Sequence, residues 1–278
     1  GARGIGRAIA ELFLAEGAQV TVWDLEPGEP LSWPGRQPAL ERVDVADHAS
    51  VVVAAARLAE RAEVLDVLVN NAGVNLVRSP TLRDLSAEEW RSVIDVNLTG
   101  TLQCTQALLP LLFRSAAGRI VNFASVLALK GVQGQSAYAA SKAAFEHYLS
   151  VYGQSYGLKW VSLRYGNVYG PRQDPYGEAG VVAIFAERIL KGLPVTLYAR
   201  KTPGDEGCVR DYVYVGDVAE AHALALFSLE GIYNVGTGEG HTTREVLMAV
   251  AEAAGKAPEV QPAPPRPGDL ERSVLSPL

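Results

Sequence analysis

The first 24 residues read GARGIGRAIAELFLAEGAQVTVWD (Gly1–Asp24), and they predict a glycine-rich turn, a helix and a strand in succession. Apolar residues recur at helical spacing at Ile5, Ile9, Leu12 and Phe13, and Gly17 is a natural helix terminator. The following QVTVW reads as a strand that ends at Asp24. Because N–H groups at a helix start can receive a phosphate and glycine permits close approach, this stretch predicts the opening of a dinucleotide-binding α/β fold.

Strands and helices keep alternating after Asp24. The predicted elements are a strand in ALERVDV ending near Asp44, a helix over Ser50–Arg61, a strand over Val64–Val69, a long helix from the capping-box pair Ser86 and Glu89 through Asn97 to about Leu112, and strands in RIVNFAS and LKWVSLRY. Such alternation is typical of a parallel, doubly wound Rossmann sheet. Residues 1–165 are therefore predicted to form the dinucleotide-binding domain.

Residues 166–278 contain more loops, with helices predicted over Val181–Lys191, Asp217–Ser228 and Thr243–Ala254 and short strands in PVTLY and IYNV. This composition predicts a smaller α/β substrate region. It is expected to pack at the C-terminal edge of the sheet, where ligand clefts form in such folds.

Composition narrows the classes of partner. The chain has 278 residues, of which 48% are hydrophobic, and this is enough for a full globular core. A net charge of −6 argues against nucleic acid and favours small-molecule partners. Cys104 and Cys208 lie far apart, so neither a disulfide framework nor a metal site is predicted, and a reduced cytoplasm is expected. No long apolar segment predicts a membrane partner.

The glycine-rich turn predicts a nicotinamide cofactor. Gly1, Arg3, Gly4, Ile5 and Gly6 surround the expected pyrophosphate position, and Asp24 follows Gly4 by twenty residues at a strand end. Its carboxylate can accept from a ribose hydroxyl and would repel a 2′-phosphate, which favours NAD over NADP. Arg3 points the other way, because a guanidinium could tolerate that phosphate. The alternative is an ordinary helix start with a solvated aspartate.

Tyr138 and Lys142, in SAYAASKAAFEHY, lie four residues apart and so share one helix face. An ammonium beside a phenol stabilises the phenolate, so Tyr138 is predicted to act as a general base near neutral pH. Ser125, at a strand end, is expected to hydrogen-bond the reacting oxygen, and Asn97 to hold a water that links Lys142 to solvent. The alternative is an amphipathic helix with a surface lysine.

The motifs GARGIG, NNAG (70–73), DVNLTG (95–100), IVNFASV (120–126) and YAASK (138–142) resemble the single-domain branch of the short-chain dehydrogenase/reductase family. The resemblance covers the first half of the chain. It implies a catalytic tetrad of Asn97, Ser125, Tyr138 and Lys142. It also implies cofactor contacts near the adenine and support for the cofactor sheet, from Asp44, Val45, Asn70, Ala72 and Gly73.

From about Tyr138 onward, the chain instead resembles the extended branch, UDP-glucose 4-epimerases in particular, through LRYGNVYGPRQ, GCVRDYVYVGDVAEA, IYNVGTGE and RPGD. This resemblance implies that Asn167 and Arg210 contact UDP phosphates and that Arg266 and Asp269 hold the nucleotide. The alternatives are that Arg210 pairs with Asp211 or Asp205, and that RPGD is only a turn.

The two resemblances meet at YAASKAA, which predicts a chimera made by recombination, design or misassembly. Aligning Gly4 and Gly6 with the last two glycines of the family pattern TGxxxGxG leaves the first glycine and the first strand upstream of residue 1. The C-terminal SVLSPL also stops short of the extended pattern. The chain is therefore expected to be a fragment whose first strand is missing.

These patterns predict an NAD-dependent sugar-nucleotide enzyme, foremost a UDP-glucose/UDP-galactose 4-epimerase that works by transient hydride transfer. The alternatives are a short-chain ketoreductase or alcohol dehydrogenase, which would act on a small carbonyl or alcohol substrate, and an inactive NAD-binding remnant. The family resemblance implies a homodimer or homotetramer formed through the long helices.

Overall fold

The computed structural model describes residues 1–27, 36–76, 81–129, 132, 134–175 and 180–276. Its helices are α1 (Gly4–Ala15), α2 (His48–Arg61), α3 (Ala87–Ile94), α4 (Thr101–Leu112), α5 (Ser136–Tyr156), α6 (Val181–Leu190), α7 (Val215–Ala225) and α8 (Thr243–Ala254). Its strands are β1 (Thr21–Asp24), β2 (Ala39–Arg42), β3 (Val67–Asn70), β4 (Arg119–Ser125), β5 (Lys159–Tyr165), β6 (Asn167–Tyr169), β7 (Val195–Tyr198), β8 (Val209–Arg210), β9 (Tyr212–Tyr214), β10 (Gly231–Val235), β11 (His241–Thr242), β12 (Val260–Ala263) and β13 (Arg272–Ser273). The predicted alternation of strand and helix is confirmed.

A parallel sheet in the order β10-β5-β4-β3 forms the centre of the molecule. Successive side chains of β4 point to opposite faces, and both faces are covered. Ile120 packs against α2, α4 and α5, whereas Val121 packs against α7 and against Ile5 of α1. Both side chains are fully buried. Helices on both faces of a parallel sheet confirm the doubly wound architecture.

The parallel pair β1-β2 forms a sheet of its own, with Asp24 opposite Arg42 at its carboxyl end. Within the described residues, no strand pairs with the second edge of β1 or of β3. The parallel strands of residues 1–165 therefore divide between two sheets, where the sequence pattern predicted one.

The predicted long helix that contains Asn97 is a continuous helical run made of α3, a π-helical turn (Asp95–Gly100) and α4. It begins with the predicted capping box: the Glu89 amide donates to Ser86 Oγ at 3.1 Å, and the Ser86 amide donates to the Glu89 carboxylate at 3.0 Å. The wide turn is a local irregularity of the kind that often marks functional sites, and it contains Asn97.

Residues 166–278 form short sheets, β11-β8-β13, β12-β7 and β6-β9, beside a cluster in which α6 and α8 pack around Phe185, Val195 and Leu247. The IYNV strand differs from its predicted location. It forms β10, which pairs with β5 from Gly231 opposite Val161 to Val235 opposite Tyr165. Its backbone finds hydrogen-bond partners along β5, so this part of the second region completes the central sheet of the first.

The sequence predicted neither a membrane span nor a disulfide, and the helices and the two cysteines address these predictions. Among the described helices, none combines the length and apolar character that a membrane span requires. Cys104 and Cys208 are both buried free thiols. Burial raises the pKa of Cys104 to about 12.

Candidate functional site

Tyr138 and Lys142 lie on the face of α5 that packs against the central sheet. Their exposed fractions are 7% and 3%, so Lys142 is not the surface lysine of the alternative interpretation. Lys142 Nζ donates to the Phe123 carbonyl at 3.1 Å and lies 5.6 Å from the centroid of the Tyr138 ring. It also lies 4.3 Å from the centroid of the Phe123 ring. An ammonium held in this buried position favours the ionised form of a neighbouring phenol.

Asn97 fixes the loop that follows β3. Its Oδ1 accepts from the Val74 amide at 2.7 Å, and its Nδ2 donates to the Val74 carbonyl at 2.9 Å. The same Nδ2 lies 3.3 Å from Ser141 Oγ on α5. A Cβ on Gly73 would lie 3.5 Å from both Asn97 Oδ1 and Lys142 Nζ. The structure therefore brings Asn97, Gly73 and Lys142 together, while the predicted water link from Asn97 stays a prediction.

Ser125 ends β4, two residues after the strand carbonyl that receives Lys142. Its hydroxyl accepts from the Leu127 amide at 3.2 Å and so caps a short 3₁₀ turn. Leu127 in turn packs against a buried cluster of Val93, Ala137 and Tyr138. Leu127 thus contacts both Ser125 and the cluster that contains Tyr138, and the role of Ser125 toward a reacting oxygen stays a prediction.

The glycine-rich turn has the close geometry that a phosphate cradle needs. Gly4 has a φ of +54°, which lies in the left-handed region. A Cβ on Gly6 would fall 2.8 Å from the Gly1 Cα and 2.7 Å from Asn71 Nδ2, so only glycine fits there. Ile5 turns away from the cradle and packs on the sheet. This geometry fits a dinucleotide, because N–H groups at the start of α1 would donate hydrogen bonds to its pyrophosphate.

Asp24 lies against this turn, as predicted. Its Oδ2 accepts from the Gly1 amine at 2.6 Å and from the Ala2 amide at 2.9 Å. Its Oδ1 accepts from the Glu26 amide at 3.0 Å, so backbone N–H groups on both sides engage this carboxylate. Arg3, which could have tolerated a 2′-phosphate, lies 3.5 Å from the Glu26 carboxylate.

The remaining predicted cofactor residues lie at the end of β3 and in the loops that follow β2 and β3. Asp44 Oδ1 accepts from the Ala46 amide at 2.9 Å, and Val45 packs against Gly100 of the π-helical turn, where a Cβ would lie 2.8 Å from the valine. Asn70 Nδ2 donates to Asn122 Oδ1 at 2.8 Å and so joins β3 to β4. Ala72 is exposed in the loop after β3.

A cavity of about 400 Å³ opens in the second region, between α6, β7 and β8. It is lined by all four predicted substrate residues, Asn167, Arg210, Arg266 and Asp269. The sequence separation between them reaches about a hundred residues, yet the fold brings all four into the lining of one cavity. With Arg188 also in its lining, the described residues of the cavity supply three guanidinium groups and one carboxylate, a balance that suits a diphosphate.

Arg210 pairs with neither Asp205 nor Asp211, so that alternative interpretation is wrong. Its Nη2 lies 3.7 Å from Asp269 Oδ1, and its Nη1 donates to the Leu270 carbonyl at 2.6 Å. Both other acids are used by backbone amides: Asp205 accepts from the 200–202 loop, and Asp211 accepts from the loop after β10. Arg210 is therefore held at the cavity wall.

RPGD is indeed a turn, with Gly268 at a φ of +81° and the Asp269 amide donating to the Arg266 carbonyl at 3.2 Å. The turn does not exclude the predicted role, because it directs Arg266 and Asp269 into the same cavity. The Arg266 guanidinium lies 3.8 Å from the centroid of the Tyr198 ring. This stacked pair gives the cavity a flat aromatic wall.

The cavity and the Tyr138 site are neighbours along β5 and β6. Ser125 lies opposite Tyr165 at the carboxyl end of the sheet, and Asn167, two residues later, reaches the cavity. Tyr138 itself is not part of the cavity lining. In the ranges that the structure describes, no group of three or more His, Cys, Asp and Glu side chains could hold a metal ion.

The sequence analysis missed two features of the site. Tyr198 was assigned only to a strand, because nothing local indicates which face of a short strand meets a cavity. Glu146 and Arg164 form a buried ion pair between α5 and β5, with contacts of 2.5 and 2.7 Å. Glu146 could have been found from the four-residue spacing of Tyr138, Lys142 and Glu146 along one helix. Arg164 could not, because finding it requires knowledge of how β5 packs against α5.

Two family models match the chain, and they overlap. The model described as short chain dehydrogenase matches residues 1–164, and the model described as GDP-mannose 4,6 dehydratase matches residues 130–264. The overlap, residues 130–164, covers all of α5, where the two sequence resemblances were predicted to meet.

Individual proteins extend the likeness. A UDP-glucose 4-epimerase of Mycolicibacterium smegmatis is 47% identical over 146 residues, which are 52% of this chain and 45% of that protein. The chain spans about half the length of the curated relatives it matches. A crystal structure of Thermus thermophilus UDP-glucose 4-epimerase in complex with NAD is 59% identical, with a TM-score of 0.82 over 99% of this chain and 88% of that one. The Thermotoga maritima UDP-glucose 4-epimerase with UDP-glucose is 29% identical, with a TM-score of 0.76 over 99% of this chain and 87% of that one.

Proposed function

This chain belongs to the short chain dehydrogenase family, and from that premise we propose that it is an NAD-dependent epimerase that inverts the 4-hydroxyl of a UDP-hexose, UDP-glucose and UDP-galactose foremost. The observation that carries the proposal is the single cavity that gathers Asn167, Arg210, Arg266 and Asp269 next to the carboxyl end of the sheet. The similarity to two solved UDP-glucose 4-epimerases over nearly the whole chain supports it.

NAD is the proposed cofactor, since the glycine cradle at Gly4 and Gly6 and the carboxylate of Asp24 fit its pyrophosphate and ribose. When bound, NAD supplies the hydride acceptor and donor that inversion of an alcohol centre requires. Asp24 accounts for NAD rather than NADP, because its negative charge opposes a 2′-phosphate. Asp44, Val45, Asn70, Ala72 and Gly73 are proposed to line the rest of the cofactor site.

Tyr138 is the proposed acid and base. It takes the proton of the sugar 4-hydroxyl and returns a proton to the same oxygen after the centre has been inverted. Lys142 stabilises the phenolate by its charge, Ser125 hydrogen-bonds the reacting oxygen, and Asn97 holds the loop at Val74 that borders them. The burial of Tyr138 and Lys142 strengthens this electrostatic effect, because the protein interior screens charge less than water does.

The cavity is proposed to bind the UDP group while the hexose rotates to present its other face to the base. Arg210 and Asn167 are proposed to bind the phosphates, and Arg266 and Asp269 the nucleoside. Loose contacts to the hexose and firm contacts to the diphosphate let both faces of the sugar reach one base. Arg210 lies in the cavity lining, with Nη2 3.7 Å from the Asp269 carboxylate and Nη1 bonded to the Val209 and Leu270 carbonyls, so its guanidinium is held in place beside the proposed phosphate position.

A second candidate function is a ketoreductase or alcohol dehydrogenase that acts on a small carbonyl or alcohol. Two observations favour it: the short chain dehydrogenase model covers the first 164 residues, and the short Ser125-to-Tyr138 spacing belongs to the single-domain pattern. This candidate leaves the cavity around Arg210 and Arg266 without a role, and for that reason it ranks second.

The proposal includes a homodimer or homotetramer in the cytoplasm. Three apolar side chains on or beside α4 and α5, Phe113, Val151 and Tyr156, are each at least half exposed. They offer an apolar surface that a second copy would cover. Sedimentation equilibrium measures the assembly, and a monomer at all concentrations would contradict this part.

The test is turnover of UDP-galactose, with NAD present, to UDP-glucose, measured by chromatography of the nucleotide sugars. A simple ketone with NADH is assayed in parallel. Epimerisation without ketone reduction supports the proposal, and the reverse supports the second candidate. Binding of NAD by the folded chain with neither turnover would overturn both and leave a nucleotide-binding protein without activity.

A further inference from the structure

An ion pair joins α5, the helix of the proposed base, to the central sheet, with Glu146 on α5 and Arg164 on β5. Glu146 Oε1 accepts from Arg164 Nε at 2.7 Å, and Glu146 Oε2 accepts from Arg164 Nη2 at 2.5 Å. Their side chains are only 8% and 16% exposed. Arg164 therefore engages both carboxylate oxygens in the two-pronged geometry that arginine makes and lysine cannot.

Glu146 stands one helical turn beyond Lys142, just as Lys142 stands one turn beyond Tyr138. Side chains four residues apart on a helix are neighbours, and a glutamate in this position can reach a lysine. All three side chains are buried on the sheet-facing side of α5. A carboxylate there without Arg164 would attract the Lys142 ammonium away from the phenol.

The sheet register brings Arg164 to the right place to prevent this. Arg164 of β5 lies opposite Ala124 of β4, and the residue before Ala124 is Phe123, whose carbonyl accepts from Lys142. Arg164 thus approaches Glu146 from the strand next to the one that anchors the ammonium. We propose that Arg164 is a positioning residue: it binds the Glu146 carboxylate, keeps this anion from pairing with Lys142 and so leaves the lysine charge directed at Tyr138.

Among the residues that the structure describes, few other charged groups lie near Tyr138, Lys142 and Glu146. Tyr165 of β5 lies near Tyr138, and burial first and Tyr138 second raise its pKa well above the ordinary value, so it stays neutral. Its hydroxyl lies 3.0 Å from His222 Nε2. The remaining charged groups of the elements packed against α5 are exposed, or are bonded to a helix cap or to α7: Glu88, Glu89, Arg91, Asp95, Arg119 and Lys159.

The test follows the ionisation of Tyr138 directly by NMR, on protein labelled at the tyrosine ζ-carbons. The Tyr138 resonance is assigned by its loss in Tyr138→Phe. Arg164→Met should raise the Tyr138 titration midpoint by about one unit, because an unpaired anion beside Lys142 opposes a second anion at the phenol. At a pH below the midpoint this is roughly a ten-fold smaller phenolate fraction.

The double variant Arg164→Met/Glu146→Gln isolates the cause. It removes the anion together with its partner, so the midpoint should return to the native value. Glu146→Gln alone should leave the midpoint unchanged or lower it. Arg61→Met is the matched control, since Arg61 also pairs with a glutamate, Glu41, but on α2 and β2. It should leave Tyr138 unaffected.

Two results would overturn the inference: no rise in Arg164→Met, or a rise that persists in the double variant. A purely structural role predicts lower stability without a shift of this resonance. If Arg164→Met does not fold, as judged by circular dichroism, Arg164→Lys replaces it. A single ammonium should satisfy less of the carboxylate and give a smaller rise, and no rise again counts against the proposal.

The inference rests on the proposed role of Tyr138 as base, but the titration needs neither sugar nucleotide nor turnover. Failure of epimerisation with the expected midpoint shifts would therefore contradict the proposed function alone. Epimerisation without the shifts would contradict the role of Arg164 alone. In an active enzyme, the lower pH limb of kcat/KM should move with the midpoint in each variant.

Discussion

At the scale of single residues, Tyr138→Phe is the most direct change, because it removes one hydroxyl and keeps the ring packed against Val93 and Ala137. We expect a loss of turnover of about a hundred-fold to ten-thousand-fold, the usual contribution of a general acid and base. NAD affinity, measured by calorimetry, should stay within about two-fold. Tyr156→Phe is the control on the same helix, since Tyr156 is 56% exposed. Substantial activity in Tyr138→Phe would exclude this phenol as the base.

Asp24→Ala tests cofactor choice. The carboxylate should disfavour a 2′-phosphate, because like charges near a protein surface repel by about 1–4 kcal/mol at close range. We expect the ratio of NAD to NADP affinity, from parallel titrations, to fall by about ten-fold. Glu60→Ala is the control, since Glu60 is an exposed acid on α2. Tighter NADP binding by the native chain would contradict the assignment.

The residue scale also marks the limit of sequence reasoning. The pair Tyr138 and Lys142 could be predicted because helical spacing alone places them on one face. The partner of Arg210 could not, because Asp269 lies in a distant turn while two acids lie close in sequence. Asp205 and Asp211, the two acids that lie near in sequence, bind backbone amides. No local sequence pattern indicates whether such an acid will bind backbone amides or a guanidinium.

At the scale of elements, α7 contains the group that should set acid stability. His222 is fully buried, with Nδ1 2.9 Å from the Val218 carbonyl and Nε2 3.0 Å from the Tyr165 hydroxyl. Burial lowers its pKa from 6.5 to about 4, although the hydrogen bond to Val218 opposes this shift. The folded state therefore holds the neutral ring, and the unfolded state binds the proton more readily.

The direction in which the free energy of unfolding changes with pH follows from the difference in proton binding between the folded and unfolded states. The contribution of His222 is complete above about pH 6.5 and is lost as the pH falls toward about 4, a change of roughly 3 kcal/mol. In His222→Gln, the free energy of unfolding in urea should depend less on pH across this window. His147→Gln, an exposed histidine on α5, should retain the native slope. An unchanged slope in His222→Gln would contradict the assignment.

Element positions were predictable where periodicity and capping agree. Helix α8 and the capping box at Ser86 lie where the sequence pattern predicts them. The pairing of β10 with β5 was not predictable, because a short run such as IYNV carries no information about which strand edge it will join. The division into two sheets likewise depends on hydrogen bonds between strands distant in sequence.

At the scale of the whole molecule, the cofactor turn and the cavity lie in different regions. A mutation in one region should therefore change the affinity for one ligand and leave the affinity for the other nearly unchanged. Arg210→Ala should weaken UDP binding by about ten-fold to a hundred-fold, since each charged hydrogen bond contributes about 1.5–3 kcal/mol. NAD affinity should hardly change. Calorimetry of both ligands is the measurement, and Lys201→Ala, which is exposed and outside the cavity lining, is the control. Equal UDP affinity in Arg210→Ala would contradict the sugar-nucleotide proposal.

The pairing of β10 with β5 has a consequence for a chain that is still on the ribosome. Every element from β6 to α7 lies between these two strands in sequence. Until Val235 has emerged, one edge of β5 lacks its partner, and the nascent chain presents open backbone groups on a strand that already has β4 on its other side. The helix that contains Tyr138 and Lys142 is synthesised early, but the sheet that supports it is completed only after β10 has been synthesised and has paired with β5. Slow translation through the second region should therefore favour aggregation, and faster translation should reduce it.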